Sequence, residues 1–409
     1  MPRDQKPFSP PFPSRTATGL AEFAAEPPRE LQRARLGLLC NPAACLPDLT
    51  PAPEAVARAL PGRLAVLFGP QHGFFADKQD NMIESGHGRH PRLGLPVYSL
   101  YGETRRPLPE MLAGVDVLLV DLVDVGTRVY TFFSTLVACL EECARAGRAV
   151  WVLDRPNPLG RGAEGPVLPP ELESFVGAHP IPLKHGLTLG ELARLVAAER
   201  GLGGEIRVIP AAGWQGQGFE HTGLPWIMPS PNMPTLDTAL VYPGQVLLEG
   251  ATLSEGRGTT RPFEIWGAPG LDPWAVAEAL EPGDLTGAAL RPLFFEPTFH
   301  KYAGQLCGGF QIHVHDPRAF APVRTTCALL AAVSRVHPGL WGLRPPPYEY
   351  ELERRPLDLL LGDPVAVDGL LAGESAARLA TAWQPGLAAW AARTAPFLLY
   401  PDQAPAAAQ

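Results

Sequence analysis

Apolar residues in the first half of the chain come in short continuous runs rather than in alternation. Residues 34–41, 64–68, 96–101, 115–122 and 148–154 each carry such a run, bounded by Gly, Pro or charge, and predict strands buried on both faces. Between them, helical spacing appears at 53–60, from Pro109, and at 132–146. A further helix is expected over 188–200, where Thr188 stands three residues before Glu191 as a capping box, followed by a strand over 205–210. Strand and helix in alternation predict a parallel sheet covered on both sides, an α/β arrangement. From about residue 213 to 262 periodicity fades, yet Trp, Tyr and Phe persist, which marks an ordered functional loop rather than a linker. Beyond it lie a helix near 273–280, a strand near 293–296, and a strand at 309–315 with Phe310, Ile312 and Val314 on one face and Gln311, His313 and His315 on the other. Helices over 322–336 and 376–394 close a smaller α+β region.

Bulk properties narrow the partners. A chain of 409 residues with 46% hydrophobic content suits two domains with real cores. A formal charge of −8 provides no basic field, which argues against nucleic acid and against anionic membrane surfaces as partners. The 48 prolines make many connections stiff, and residues 1 to about 32 read as an irregular arm ending in a short helix. Residues 1–11 lack a secretory apolar core and no run approaches the ~18 apolar residues of a membrane span, so a cytoplasmic protein is expected. The six cysteines show no metal-binding spacing, and Cys139 and Cys143, one helical turn apart in an apolar run, read as buried thiols.

Ligands of open parallel sheets sit beyond the carboxyl ends of the strands. Here those ends deliver His72 with Asp77, Asp80 and Glu84; Tyr101 with Glu103; Asp121, Asp124, Arg128 and Tyr130; and Asp154, Arg155 and Asn157, with Glu164 close behind. Neither a Gly-rich phosphate loop nor a GxSxG elbow is present, so no nucleotide cofactor and no serine nucleophile is expected. The spacings of His72, His87 and His90 match no metal-ligand motif, and no metal is assigned. The stretch from Glu249 to Glu264 packs three carboxylates, two arginines and four hydroxyls around three glycines. It reads either as an active-site strip or as a polar interdomain loop braced by its own ion pairs. Carboxylates, amides, aromatics and arginines in surplus suit a carbohydrate that bears a carboxylate, with Glu or Asp moving protons and Arg holding the acid group.

Several segments, in order, resemble the NamZ-like exo-β-N-acetylmuramidases: Pro70-Gln-His-Gly-Phe74, Gly94 to Gly102, Asp121 to Thr131, Asp154-Arg-Pro-Asn-Pro-Leu-Gly160, Glu164-Gly-Pro-Val167, Pro180 to Gly186, Pro229-Ser-Pro-Asn-Met-Pro234, Ser254 to Glu264 and Lys301-Tyr-Ala-Gly304. The resemblance implies a Rossmann-like N-terminal domain over 33–250 after the arm 1–32, a smaller C-terminal α+β domain over 251–409, and an active-site cleft between the two. It implies release of terminal N-acetylmuramic acid from muropeptide-derived substrates. One departure stands out: members of the family often carry Glu where this chain has Gln71, directly before His72, and an amide cannot donate a proton as an acid does.

The expected catalytic set is therefore Glu255 with Glu84 or Asp124, and His72 as an orienting group. Glu255 is placed on an exposed loop. Gln71, Tyr130, Asn157, Glu164, Asn232 and Thr259 are expected around the sugar, and Arg128, Arg257 and Arg261 around its lactyl carboxylate. A non-catalytic sugar-binding protein and a metal-dependent hydrolase using His72 are the alternatives.

Overall fold

Runs such as Leu36–Cys40 and Val117–Asp121 are buried at every position, which only an interior strand of a doubly covered sheet permits. The computed structural model describes residues 15–79 and 82–401, so the expected contribution of Asp80 and the start of the arm lie outside the described residues. Leu36–Cys40 (β1), Leu64–Gly69 (β2), Gly88–Arg89 (β3), Pro96–Ser99 (β4), Val117–Asp121 (β5) and Ala149–Leu153 (β6) follow one another along the chain. Glu164–Val167 (β7) and Pro182–Lys184 (β8) form a separate antiparallel hairpin, and Ile206–Ile209 (β9) completes the main sheet. That sheet has seven strands in the order β3-β4-β2-β1-β5-β6-β9. All its pairings are parallel except that of β3 with β4. The chain builds outward from β1 in one direction and from β5 in the other, so the topological switch point lies between β1 and β5.

Alternate residues of these strands feed two different cores. Leu38, Leu67 and Leu119 pack with Leu20, Phe23 and Val56 of the helices Gly19–Ala25 (α1) and Ala52–Ala59 (α2). Leu39, Phe68 and Val120 pack on the opposite face, under Pro109–Leu112 (α3), Phe132–Arg145 (α4) and Leu189–Glu199 (α5). The capping box at the start of α5 forms as the spacing predicts: Thr188 Oγ1 accepts from the Glu191 amide at 3.2 Å, and Glu191 accepts from the Thr188 amide at 3.0 Å.

The loop expected over 213–262 is shorter than its composition suggests. It contains the helix Leu236–Gln245 (α6), which carries Pro243 in its last turn, a residue that reads as a helix breaker from sequence. Next come Ile265–Ala268 (β10), Pro273–Glu278 (α7), Ala288–Phe295 (β11) and Cys307–Val314 (β12), an antiparallel sheet in the order β10-β12-β11. The strand expected near 293–296 thus starts five residues earlier, with Pro292 inside it. On β12, Phe310 and Ile312 are buried and His313 is exposed, as the alternation predicts. β10 and β12 pair so closely that a Cβ on Gly309 would collide with the Trp266 carbonyl. Pro322–Val336 (α8) packs against α6, followed by Pro356–Leu361 (α9), Pro364–Leu371 (α10) and Ala376–Thr394 (α11). The apolar cluster under α4 and α5 continues through Leu247 and Val323 to Leu360 and Trp383, so the two halves of the chain share one core. Among the described residues no helix is long and apolar enough to cross a membrane.

Candidate active site

Beyond the end of β2 the chain turns through Pro70 into Gln71 and His72, and His72 takes a left-handed φ of 70°. Beyond β5 a loop of buried residues runs through Tyr130 and Thr131 into α4. These two strand ends meet Ser230 and Asn232 from the loop before α6, Glu249 and Arg257 from the strip after it, and Tyr348 and Glu349 from the segment before α9. Together they line a partly open cleft.

Two carboxylates in this cavity have contrasting surroundings. Glu349 accepts hydrogen bonds from Gln71 Nε2 at 2.8 Å and from the Tyr101 hydroxyl at 2.7 Å. Thr131 donates to Gln71 Oε1 at 2.5 Å, which orients the amide so that its N–H₂ faces Glu349. Burial pushes the Glu349 carboxyl up; the hydrogen bonds from Tyr101 and Gln71 oppose this and the nearby charge of Glu249 adds to it, leaving it at about 7. Glu249 instead faces a cation: Arg257 Nη2 lies 2.6 Å from Oε1, and the Tyr348 hydroxyl donates to Oε2 at 2.5 Å. His72 Nδ1 sits 2.8 Å from the Lys78 carbonyl, an acceptor only, which assigns the proton to Nδ1 and makes Nε2 the basic nitrogen. Arg257 Nη1 is buried and makes no hydrogen bond among the described residues.

Exo-beta-N-acetylmuramidase NamZ matches the chain in two consecutive blocks, its N-terminal part over residues 36–237 and its C-terminal part over 240–400. The chain belongs to the NamZ family. The peptidoglycan beta-N-acetylmuramidase NamZ of Bacillus subtilis (strain 168) is 42% identical over 323 residues, 78% of each chain. Two crystal structures of DUF1343 family proteins from Bacteroides fragilis NCTC 9343 share the fold. One has a TM-score of 0.84 at 28% identity and covers 94% of this chain and 99% of that one. The other has a TM-score of 0.74 at 27% identity and covers 95% and 99%.

Within this NamZ fold, Gln71, His72, Tyr130, Asn232 and Arg257 line the cavity. Other expected residues lie elsewhere. Glu255 is not on an exposed loop: it is 0% exposed, held by Lys301 Nζ at 2.8 Å and flanked by His300 and Arg257. Burial would raise its pKa, but Lys301, the His300 hydrogen bond and Arg257 outweigh that and hold it far below the usual carboxylate range. Arg128 is equally buried and spends its guanidinium on the carbonyls of Pro166, Ile181, Leu359, Leu360 and Leu361, so it has no reach to a sugar carboxylate. Asn157 donates to the Leu187 carbonyl and accepts from the Leu159 amide, bracing its own turn. Glu164 accepts from the Arg324 amide at the start of α8. Thr259 donates to the Gly256 carbonyl, and Arg261 pairs with Glu264 at 3.2 Å outside the cavity. Glu84 is exposed and accepts from the Tyr350 hydroxyl at 3.3 Å. Asp124 accepts from the Gly126 amide and lines other cavities. Both readings of the strip from Glu249 to Glu264 therefore hold in part: Glu249, Arg257 and Phe263 line the cavity, while Glu255 and Glu264 are held in ion pairs away from it.

Glu349, Tyr348, Thr131, Ser230 and Tyr242 are polar lining residues that sequence reasoning did not single out. Glu349 lies in a stretch without periodicity, and its local hint is a carboxylate between two tyrosines. The backbone there is unusual, with φ of 44° at Glu349 and 69° at Tyr350, non-glycine residues in the left-handed region. Strain of this kind concentrates at functional sites.

Proposed function

We propose that Glu349 and Glu249 together carry the exo-β-N-acetylmuramidase reaction of this protein, releasing a terminal N-acetylmuramic acid from peptidoglycan fragments. The observation that carries this is the pairing of two carboxylates, distant in sequence, in one cleft with opposite surroundings. A carboxyl group held near neutrality by burial can serve as the acid. Glu349, held near neutrality, donates a proton to the glycosidic oxygen; each of its oxygens keeps a second lone-pair direction beyond the bonds from Gln71 and Tyr101. Glu249, hydrogen-bonded by Arg257 and Tyr348, faces the positive charge that develops on the sugar ring. Arg257 Nη1 is available to the lactyl carboxylate and the Tyr130 hydroxyl to the sugar, while Asn232 lines the wall with its amide bonded to Gln79. His72 lines the same cavity, and the water that adds at the anomeric carbon as the glycosidic bond breaks restores the proton of Glu349.

Glu349→Gln tests the assignment on a chromogenic N-acetylmuramide. A loss of roughly 10²- to 10⁴-fold in kcat with sugar binding retained is expected. Turnover at the wild-type rate would remove Glu349 from the reaction. Gln71 itself supports a second reading, a sugar-binding protein without turnover, because its amide has no proton to give. Tight binding of the muramide by the wild type with no release of the chromophore would establish that reading instead. Six cysteines, all unbridged, favour action in a reducing compartment and hence on fragments already inside the cell. Cell fractionation checks this.

A further inference from the structure

Tyr348 and Glu351 bond each other through both backbone pairs, each amide 2.9 Å from the other's carbonyl, so Glu349 and Tyr350 are the two central residues of a tight turn. Both are left-handed, with φ of 44° and 69°. Asn and Gly ordinarily make such a turn, because in the left-handed region a larger residue crowds its Cβ against the following carbonyl. A Glu-Tyr pair keeps this shape only when contacts elsewhere offset the strain.

Those contacts come from the other half of the chain. The turn belongs to the C-terminal family block, whereas the side chains that bond or stack on it, Gln71, Glu84, Tyr101, Arg105 and Phe175, all belong to the N-terminal block. Glu349 is 4% exposed and Tyr350 37%, so the turn sends one side chain into the cleft and the other to its rim. The Glu349 carboxylate takes the bonds from Gln71 and Tyr101. The Tyr350 ring meets Tyr101 at 5.5 Å and Phe175 at 6.1 Å, both edge to face, and Arg105 lies over its face at 3.7 Å from the ring centre. Its hydroxyl donates to Glu84 Oε1 at 3.3 Å, a long bond at the surface. Tyr101 is shared: its hydroxyl holds Glu349 while its ring packs on Tyr350 and, at 5.8 Å, on Phe175.

We propose that Tyr350 is a positioning residue for the reaction: its ring, clamped by Tyr101, Phe175 and Arg105, holds the strained turn against the N-terminal half and keeps the Glu349 carboxyl seated between Gln71 and Tyr101. The proposal rests on the reading of Glu349 as the acid. Once the clamp is lost, the turn relaxes and Glu349 moves toward water. The charged groups that face Glu349 are Glu249 and Arg257, and those that face Tyr350 are Arg105 and Glu84. Solvating a carboxyl whose proton affinity was raised by burial lowers that affinity. Loss of the clamp therefore moves the alkaline limb of the pH profile, which a change in stability alone does not.

Tyr350→Ala and Tyr350→Phe, made in the full-length protein and assayed on a chromogenic N-acetylmuramide, test this. Tyr350→Ala is expected to lower kcat at least about tenfold, to leave KM within about twofold, and to move the alkaline limb of kcat/KM about one pH unit or more toward acid. Tyr350→Phe keeps the ring and is expected to retain kcat within about threefold with the limb in place. Arg105→Gln, which uncovers the ring from outside the turn, is expected to move the limb in the same direction as Tyr350→Ala. A folded Tyr350→Ala enzyme whose limb stays where it was, or a Phe variant as impaired as the Ala one, overturns the clamp. If Glu349→Gln turns over at the wild-type rate, the acid assignment itself fails; if that variant is inactive while Tyr350→Ala is unimpaired, the assignment stands and the clamp fails.

Discussion

Glu349 has two neighbours that oppose its high proton affinity, Tyr101 and Gln71, and the second can be changed without touching the acid itself. A general acid works only while protonated, so kcat/KM is expected to hold below about 7 and fall as pH rises through it. Stability follows the same sign. The folded-state pKa lies above the ordinary 4.5, so this group's contribution is complete below that value and lost as pH climbs through about 7. Gln71→Glu replaces a donor by a like charge and is expected to move the alkaline limb of the pH profile upward; an unmoved limb would show that Glu349 does not set it. Glu255 belongs to a different class of residue. Glu255→Gln leaves Lys301 buried without its charge partner, at a cost of roughly 3–5 kcal/mol, seen as a lower urea midpoint. Turnover per folded molecule is the discriminating number: if it collapses while stability holds, Glu255 acts on the substrate after all.

At the scale of elements, α9 depends on a residue more than 200 positions earlier. Its last carbonyls, those of Leu359, Leu360 and Leu361, are capped by Arg128, and Gly362 closes the helix in the left-handed conformation. Arg128→Ala is expected to cost about 1.5–3 kcal/mol or more in urea unfolding, because several buried acceptors lose a charged donor at once. Arg128→Lys should rescue little, since one ammonium cannot span the fork of contacts to Pro166, Ile181 and Leu360. This cap also explains why α9 and α10 escape a local reading: the short apolar helices Pro356–Leu361 and Pro364–Leu371 are stabilised by tertiary contacts more than by their own propensity. The hairpin of β7 and β8 is invisible for a similar reason. Its strands lie fourteen residues apart and pair with a register shift between Glu164 and Val167.

At the scale of the molecule, the continuous core from Phe68 through Val323 to Trp383 predicts that both halves unfold together. Urea unfolding followed by fluorescence and by far-UV circular dichroism is expected to give coincident transitions. N-acetylmuramic acid at 100 times its Kd should displace both by about 2.7 kcal/mol. Separate transitions, with the ligand acting on one alone, would place the sugar within one half instead of across residues as distant as Gln71 and Glu349. The layered α/β architecture was legible from residues 34–210 because each buried strand must be apolar throughout, a constraint written locally. His72, Tyr130, Asn232 and Arg257 were legible as candidates because polar residues at strand ends and in Gly-rich loops have few structural reasons to be there. Tertiary structure alone decided which carboxylates share a cavity and in which state. Glu255 and Glu349 are both glutamates in irregular segments, indistinguishable by pattern. Lys301 closes on one, and burial beside Gln71 and Tyr101 raises the other, because proton affinity depends on neighbours brought in from hundreds of residues away.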